Sequence, residues 1–368
     1  MRRATIGVLG GGQLGRMLAL AGHRLGLWLR FYDRAPDAVA GHVGELQVGE
    51  FTDAARLERF AAGLDVVTYE FENVPIDTAR HLSRLVAVLP APIALEQAQD
   101  RLREKDLFTR LGIATPPFRD VESRAALDLA VADLGLPAVL KTRRLGYDGK
   151  GQAVLRGPAE VDRAWDRLAG SAPLILESLV AFEREVSIIA ARSTRGEVAF
   201  YPLVENEHRD GILRLSRCPA PRSTAPVERQ ARDAAAALMA AMDYAGVLTV
   251  EFFDVGGRLL ANEMAPRVHN SGHWTIDGAA TSQFENHLRA ILGLPLGDCS
   301  PTGHAAMINL IGTHPPLERL AAIPGARVHL YGKEPRPGRK LGHVTIVESD
   351  GGVLARRLDE ARRSVLPP

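Results

Sequence analysis

The chain has 368 residues, 46% of them hydrophobic and 24% charged, which is enough for two or three packed domains. Its 45 basic and 44 acidic side chains leave a formal charge of +1, excluding steering by a broad field toward nucleic acid or an anionic membrane. No run approaches the roughly 18 apolar residues of a membrane span. The only cysteines, Cys218 and Cys299, lie far apart and outside any CxxC pair, so neither a disulfide framework nor a zinc site is indicated, and reducing cytoplasm is the expected compartment.

From Thr5 the chain alternates short apolar runs with helical patterns: Ile6 to Leu9, Gln13 to Gly22, then Leu27 to Tyr32 ending in Asp33. Such alternation predicts a parallel α/β sheet. Gly10, Gly12 and Gly15 form GxGxxG between strand and helix, with Asp33 about 20 residues beyond. Three readings fit these glycines: a dinucleotide site, an anion site on free helix N–H groups, or a tight turn with no ligand. Val66 to Tyr69 is a later strand of the sheet, with Glu70, Glu72 and Asn73 at its carboxyl end, where open α/β sheets bind ligands. Leu95 to Leu111 reads as one charged helix, closed by Gly112 and by Thr115-Pro116-Pro117. The predicted domains are therefore 1–112, then 113–300, and a small carboxyl-terminal domain, 301–368.

Beyond Pro117 the pattern becomes α+β, with strands at Ala138 to Thr142, Ala153 to Leu155, Leu174 to Glu177 and Glu185 to Ala191, and helices near 124–134, 160–169 and 227–242. The apolar strand ending in Lys141 is followed by Gly146-Tyr147-Asp148-Gly149-Lys150-Gly151-Gln152, a donor-rich loop able to fold over polyphosphate, with Lys141 and Lys150 as point charges. It lacks the GK[ST] of a Walker A loop, and a glycine-rich hairpin with a solvated tip is the plain alternative. Glu177 follows another apolar strand, where main chain would suit an adenine edge and a carboxylate such as Glu185 a ribose; each taken alone is also an ordinary solvated strand end.

Val247 to Asp254 and Arg258 to Met264 form a hairpin around Gly256-Gly257. With a two-residue turn Glu263 would face Val250, on the opposite side of the sheet from Glu251. A three-residue turn, Gly256 to Arg258, sets Glu251 directly across from Glu263. Two carboxylates about 5 Å apart by Cα repel unless compensated. A divalent cation compensates, and Mg²⁺ takes one or two carboxylates with phosphate oxygens and waters, which suits this pair with Asn262 or Asn270 nearby.

In this order the glycine loop, the strand lysine, Glu177-Ser178-Leu179-Val180 and the Glu251 and Asn262-Glu263 hairpin resemble the ATP-grasp ligases. The chain is similar over nearly its whole length to those that carboxylate 5-aminoimidazole ribonucleotide in purine biosynthesis. The most specific pieces are Gly12-Gln13-Leu14-Gly15-Arg16-Met17, the loop at 146–152, Ala265-Pro266-Arg267-Val268-His269-Asn270-Ser271-Gly272-His273-Trp274-Thr275, and Arg336-Pro337-Gly338-Arg339-Lys340-Leu341-Gly342-His343. The resemblance implies an ATP-grasp fold behind a Rossmann-like amino-terminal domain. It implies ATP contacts from Arg101, Lys141, Gly146, Tyr147, Asp148, Gly149, Lys150, Gly151, Gln152, Glu177, Ser178, Leu179, Val180, Glu185, His208, Asn262 and Glu263. Mg²⁺, or Mn²⁺ in its place, would sit on Glu251 and Glu263. The ribonucleotide would lie between Gln13, Leu14 and Glu70 on one side and Arg267, Asn270 and Ser271 on the other, with Lys333 and Arg339 on its phosphate. Val268 stands where many relatives carry proline.

The reaction so implied joins bicarbonate to the ribonucleotide amine through carboxyphosphate, releasing ADP and phosphate, in a homodimer that binds neither nucleic acid nor membrane. Arg267 suits bicarbonate by a bidentate contact, and Tyr147 and Lys150 belong to a loop that closes over the labile intermediate. His269 is either a proton acceptor for the amine or a structural histidine.

Overall fold

A computed structural model describes residues 4–146, 149–170 and 173–365. Its strands fall into three sheets in chain order. β1 (Thr5–Leu9), β2 (Trp28–Asp33), β3 (Glu45–Val48) and β4 (Val66–Tyr69) form a parallel sheet in the order β3-β2-β1-β4. β5 (Phe118–Val121), β6 (Ala138–Thr142), β7 (Gln152–Leu155) and β8 (Leu174–Ser178) form an antiparallel sheet in the order β5-β8-β6-β7.

β9 (Arg184–Arg192), β10 (Val198–Phe200), β11 (Val204–Arg209), β12 (Ile212–Cys218), β13 (Gly246–Val255), β14 (Arg258–Ala265), β15 (His304–Ile311), β16 (Ala326–Leu330) and β17 (Lys340–Glu348) form the third. Its order is β14-β13-β9-β11-β12-β15-β17-β16, with β10 on β9. Residues beyond 300 thus extend the central sheet through the β12 to β15 pairing.

Burial follows the apolar pattern. β4 and β6 are covered along their whole length, as two-sided strands require. Helix Gln13–Arg24 packs on helix Gln283–Ile291, so the first sheet and the large sheet share one core containing Val8, Leu18, Ile189, Trp274 and Leu288. The alanine-rich helix Ala225–Ala241 covers β9, β13 and β14 through Ala231, Ala235 and Leu238.

One helix expected between 95 and 111 is two, Pro92–Ala98 and Arg101–Arg110. Asp100 breaks it: its carboxylate accepts from Leu102 N at 3.1 Å as an N-cap and also holds Arg143 at 2.8 Å and Arg144 at 3.2 Å. The second helix ends where expected, at Gly112 with φ 70°.

Candidate active site

The amino-terminal glycines are not a vacant anion cradle. Gly11 N donates to Asp33 Oδ2 at 2.7 Å, Gly15 N donates to Glu70 Oε2 at 2.7 Å, and Gly12 N donates to Glu70 Oε1. A Cβ at Gly12 would come 2.6 Å from that carboxylate. The helix terminus therefore binds the protein's own Glu70, and the acid expected to hold a ribose in a dinucleotide site closes the turn instead. Burial raises the Glu70 pKa despite these two N–H donors. Leu14 points into the core, so any contact of its own with a ligand falls to its main chain. Gln13, at the start of its helix, instead reaches Lys333, in the segment between β16 and β17, by a direct hydrogen bond.

The hairpin of Glu251 and Glu263 has the shorter turn, with Val255 paired to Arg258 and positive φ at both Gly256 and Gly257. That turn alone would separate the carboxylates. The ladder slips between Phe252 and Glu251: Phe252 pairs with Ala261 but Glu251 with Glu263, leaving Asn262 as the extra residue of a β-bulge. Glu251 and Glu263 therefore face one another, for a reason other than the three-residue turn.

Helix Arg101–Arg110 braces the bulge. Lys105 Nζ donates to Asn262 O at 2.8 Å and to Ala261 O at 3.2 Å, and Glu104 Oε1 accepts from Met264 N at 2.6 Å. Arg101 Nη1 lies 3.1 Å from Glu263 Oε2. Sequence reasoning named Arg101 and missed Glu104 and Lys105. Their signal was a helix reading Arg-Leu-Arg-Glu-Lys-Asp, with too few apolar residues for a core-facing stripe.

Electrostatics divide the site into coupled groups. Burial and the charge of Glu263 push Glu251 up to about 7, although His208 opposes this. For Glu263 burial acts upward, but the Arg101 charge and hydrogen bond outweigh it and hold the group below its ordinary value. His208 sits 2.8 Å from Glu185; burial favours its neutral form, but that hydrogen bond and the nearby glutamates carry it up to about 9. Glu177 is 2% exposed and lies 3.0 Å from Lys141 and 3.4 Å from Lys105. Burial works against its charge, yet the two ammonium groups and Arg101 hold it at about 2.

Several buried polar atoms on these residues have no partner: Glu177 Oε1, Asn262 Oδ1, Arg267 Nε, and both amide atoms of Asn270. Such orphans are costly unless something binds them. Arg267 is otherwise engaged with Glu72 and with Val268 O at 2.9 Å. Ser271 is fully buried against His269 and Ser187. Arg339 Nη1 donates to Glu334 O at 3.0 Å. Ser178 ends β8, and Leu179 is 40% exposed just beyond it, followed by half-buried Val180.

In the glycine loop Tyr147 and Asp148 lie outside the described residues. Gly149, at φ 74°, rests against the turn between β11 and β12, where a Cβ would meet Asp210 O at 2.8 Å. The loop hung from the small sheet thus touches the large one at Gly149, while Gly146 and Gly151 lie against Thr142 and Gln152 begins β7, paired with Lys141.

Family models for a ribonucleotide synthetase preATP-grasp domain, an ATP-grasp domain and a phosphoribosylaminoimidazole carboxylase C-terminal domain match residues 3–99, 106–284 and 305–357. An N5-carboxyaminoimidazole ribonucleotide synthase of Pseudomonas aeruginosa is 53% identical over 96% of this chain and 98% of its own. The crystal structure of the corresponding synthetase from Thermus thermophilus superposes with a TM-score of 0.95 at 55% identity, covering 99% of each chain. A synthase from Aspergillus clavatus in complex with ADP and 5-aminoimidazole ribonucleotide gives 0.92 at 30% identity, over 98% of each. The chain belongs to the N5-carboxyaminoimidazole ribonucleotide synthase family of ATP-grasp ligases.

Proposed function

We propose that the cleft between the small and large sheets binds ATP with Mg²⁺ and that the enzyme carboxylates 5-aminoimidazole ribonucleotide with bicarbonate. The observation that carries this reading is the opposed pair Glu251 and Glu263, facing a cationic wall of Arg101 and Lys141. Their hard, mutually repelling oxygens, with the unpartnered Asn262 Oδ1 and Asn270 Oδ1 nearby in sequence, fit a divalent cation of the Mg²⁺ or Mn²⁺ kind. Bound there, the metal would neutralise charge on the transferring phosphoryl group.

The protein's own residues do the rest. Lys141 and the 146–152 loop hold polyphosphate, Glu185 and His208 face the nucleotide, and Leu179 and Val180 offer main chain to the base. Arg267 turns its unspent Nε to bicarbonate. Attack of bicarbonate oxygen on the γ-phosphorus gives carboxyphosphate and ADP; the amine then bonds to the carboxyl carbon as phosphate leaves. Water must be kept out meanwhile, the service of the loop through Tyr147 and Lys150. Gln13, Glu70, Asn270, Ser271, Lys333 and Arg339 hold the ribonucleotide, with 1–112, 113–300 and 301–368 as the working units of a cytoplasmic homodimer.

Coupled ADP release, measured with and without bicarbonate and with and without the ribonucleotide, tests this. Release that needs neither would overturn it. Among the described residues no helix is long and apolar enough to cross a membrane.

A further inference from the structure

His269 Nδ1 faces two donors from one residue, the main-chain N–H of Ser271 at 3.3 Å and Ser271 Oγ at 2.9 Å. A peptide N–H can only donate, so Nδ1 presents a lone pair. A buried chain continues outward from Ser271. Ser216 Oγ donates to Asn206 Oδ1 at 2.8 Å, Asn206 Nδ2 donates to Ser187 Oγ at 2.9 Å, and Ser187 Oγ lies 2.9 Å from Ser271 Oγ. With Asn206 in this orientation Ser187 accepts from the amide, its own proton points to Ser271, and the Ser271 proton points to Nδ1, in keeping with the lone pair that the Ser271 peptide N–H requires. All four side chains are buried, the serines completely.

The histidine main chain is fixed separately. His269 N donates to Gln283 Oε1 at 2.9 Å, and Gln283 Nε2 donates to His269 O at 2.6 Å, so the backbone itself sets the amide's orientation. A Cβ at Gly272 would come 2.6 Å from that amide. The glycine thus leaves Gln283 room to reach the histidine.

We infer that this relay holds His269 as its Nε2–H tautomer, a hydrogen-bond donor toward the carboxylate pair and any oxyanion beside it, and not the acceptor of the amine proton. Nε2 lies 3.6 Å from Glu251 Oε1, while the ring's one lone pair is spent inward on Ser271. Ser187, Asn206, Ser271 and Gln283 are positioning residues. Ser187 is also the cross-strand partner of Glu251, so the relay is built into the ladder that carries the Glu251 and Glu263 pair. The inference rests on the proposed function for what the donor serves, but the tautomer belongs to the resting protein.

The test is a long-range ¹H–¹⁵N correlation spectrum of the full chain labelled at histidine, with His269 assigned by its loss in H269Q. The proton is expected on Nε2. In steady-state assays H269Q, whose amide N–H can occupy the Nε2 position, is expected to keep kcat within about tenfold of wild type, whereas H269A loses on the order of 10²-fold. Ser187→Ala lowers kcat severalfold without moving KM for ATP, and Ser187→Thr restores it. A proton on Nδ1, or H269Q no better than H269A, overturns the inference. Failure of wild type to release ADP on adding both substrates strikes the proposed reaction instead and leaves the spectrum's answer standing.

Discussion

Glu251 and Glu263 face each other because Asn262 bulges out of the ladder between them and the two-residue turn that would have parted them. The bulge places two carboxylates together, and the charge of His208 offsets this only in part: burial and Glu263 still hold Glu251 at about 7.

That cost predicts a pH-dependent stability. A carboxyl whose folded pKa is raised binds more protons folded than unfolded between about 4.5 and 7, so metal-free protein loses stability as pH rises through that window. Glu251→Gln removes the penalty. In EDTA the variant is expected to exceed wild type by about 3 kcal/mol above pH 7, with the gap closing below pH 4.5. Urea unfolding at several pH values measures it; an unchanged difference across the range would mean that neither burial nor Glu263 raises Glu251.

Glu263→Gln is expected to abolish ADP formation while leaving the circular dichroism spectrum and cooperative melting intact. Turnover at the wild-type rate would remove the metal from this pair. Titration of Mn²⁺ followed by its paramagnetic resonance signal, without substrates, separates lost metal binding from lost chemistry.

Glu177 gives the opposite sign. Its folded pKa of about 2 lies below the ordinary 4.5, so its contribution is complete above pH 4.5 and is lost as pH falls toward 2. Glu177→Gln would leave Lys105 and Lys141 buried without their shared counter-ion, costing about 3–5 kcal/mol at pH 7. The difference from wild type should shrink in acid. A constant difference down to pH 2 would show that the carboxylate charge is not what matters.

Much of this was legible in the sequence because apolar runs and turn residues act locally. Val66–Tyr69 and Ala138–Thr142 are strands at the predicted residues, and Gly112 ends its helix. The register at Glu263 was legible only as an alternative, since a bulge leaves no mark in hydrophobic alternation until its partner strand is known. The bracing by Glu104 and Lys105 left only an indirect mark, a helix with too few apolar residues for a core-facing stripe. Their contacts lie 156 to 160 residues away in sequence, and a buried ammonium on a charged helix looks like any solvated lysine. The amino-terminal glycines left three readings open for a related reason: the N–H groups of Gly12 and Gly15 are taken by Glu70, 55 residues on from Gly15.

Lys333, between β16 and β17, bonds Gln13 at the mouth expected to take the ribonucleotide phosphate. Lys333→Ala is predicted to raise KM for the ribonucleotide by about 10- to 100-fold, the worth of one charged hydrogen bond, with KM for ATP little changed. An equal rise in both would place Lys333 elsewhere in the cycle.

Lys105 supplies the sharpest test of how the Glu251 and Glu263 pair is held. Its ammonium is fully buried, touches Ala261 O and Asn262 O at the bulge, and lies 3.4 Å from Glu177. Removing it takes the side-chain donor from Asn262 O, while Ala261 O keeps Thr115 Oγ1 at 2.9 Å, so the bulge loses its brace at Asn262 while both carboxylates remain. Lys105→Met keeps the stem and removes the charge. It is expected to weaken Mn²⁺ binding and raise the metal concentration for half-maximal rate by about 10- to 100-fold, as loss of a group that orients ligands does. KM for the ribonucleotide should hardly move, because Lys333 and Arg267 lie outside this contact. If Lys105→Met melts cooperatively and binds Mn²⁺ like wild type, the bulge is set by the ladder alone. If Lys105→Arg, which can reach the same carbonyls, recovers binding that Lys105→Met lost, the brace is the donor itself and not the volume of the side chain.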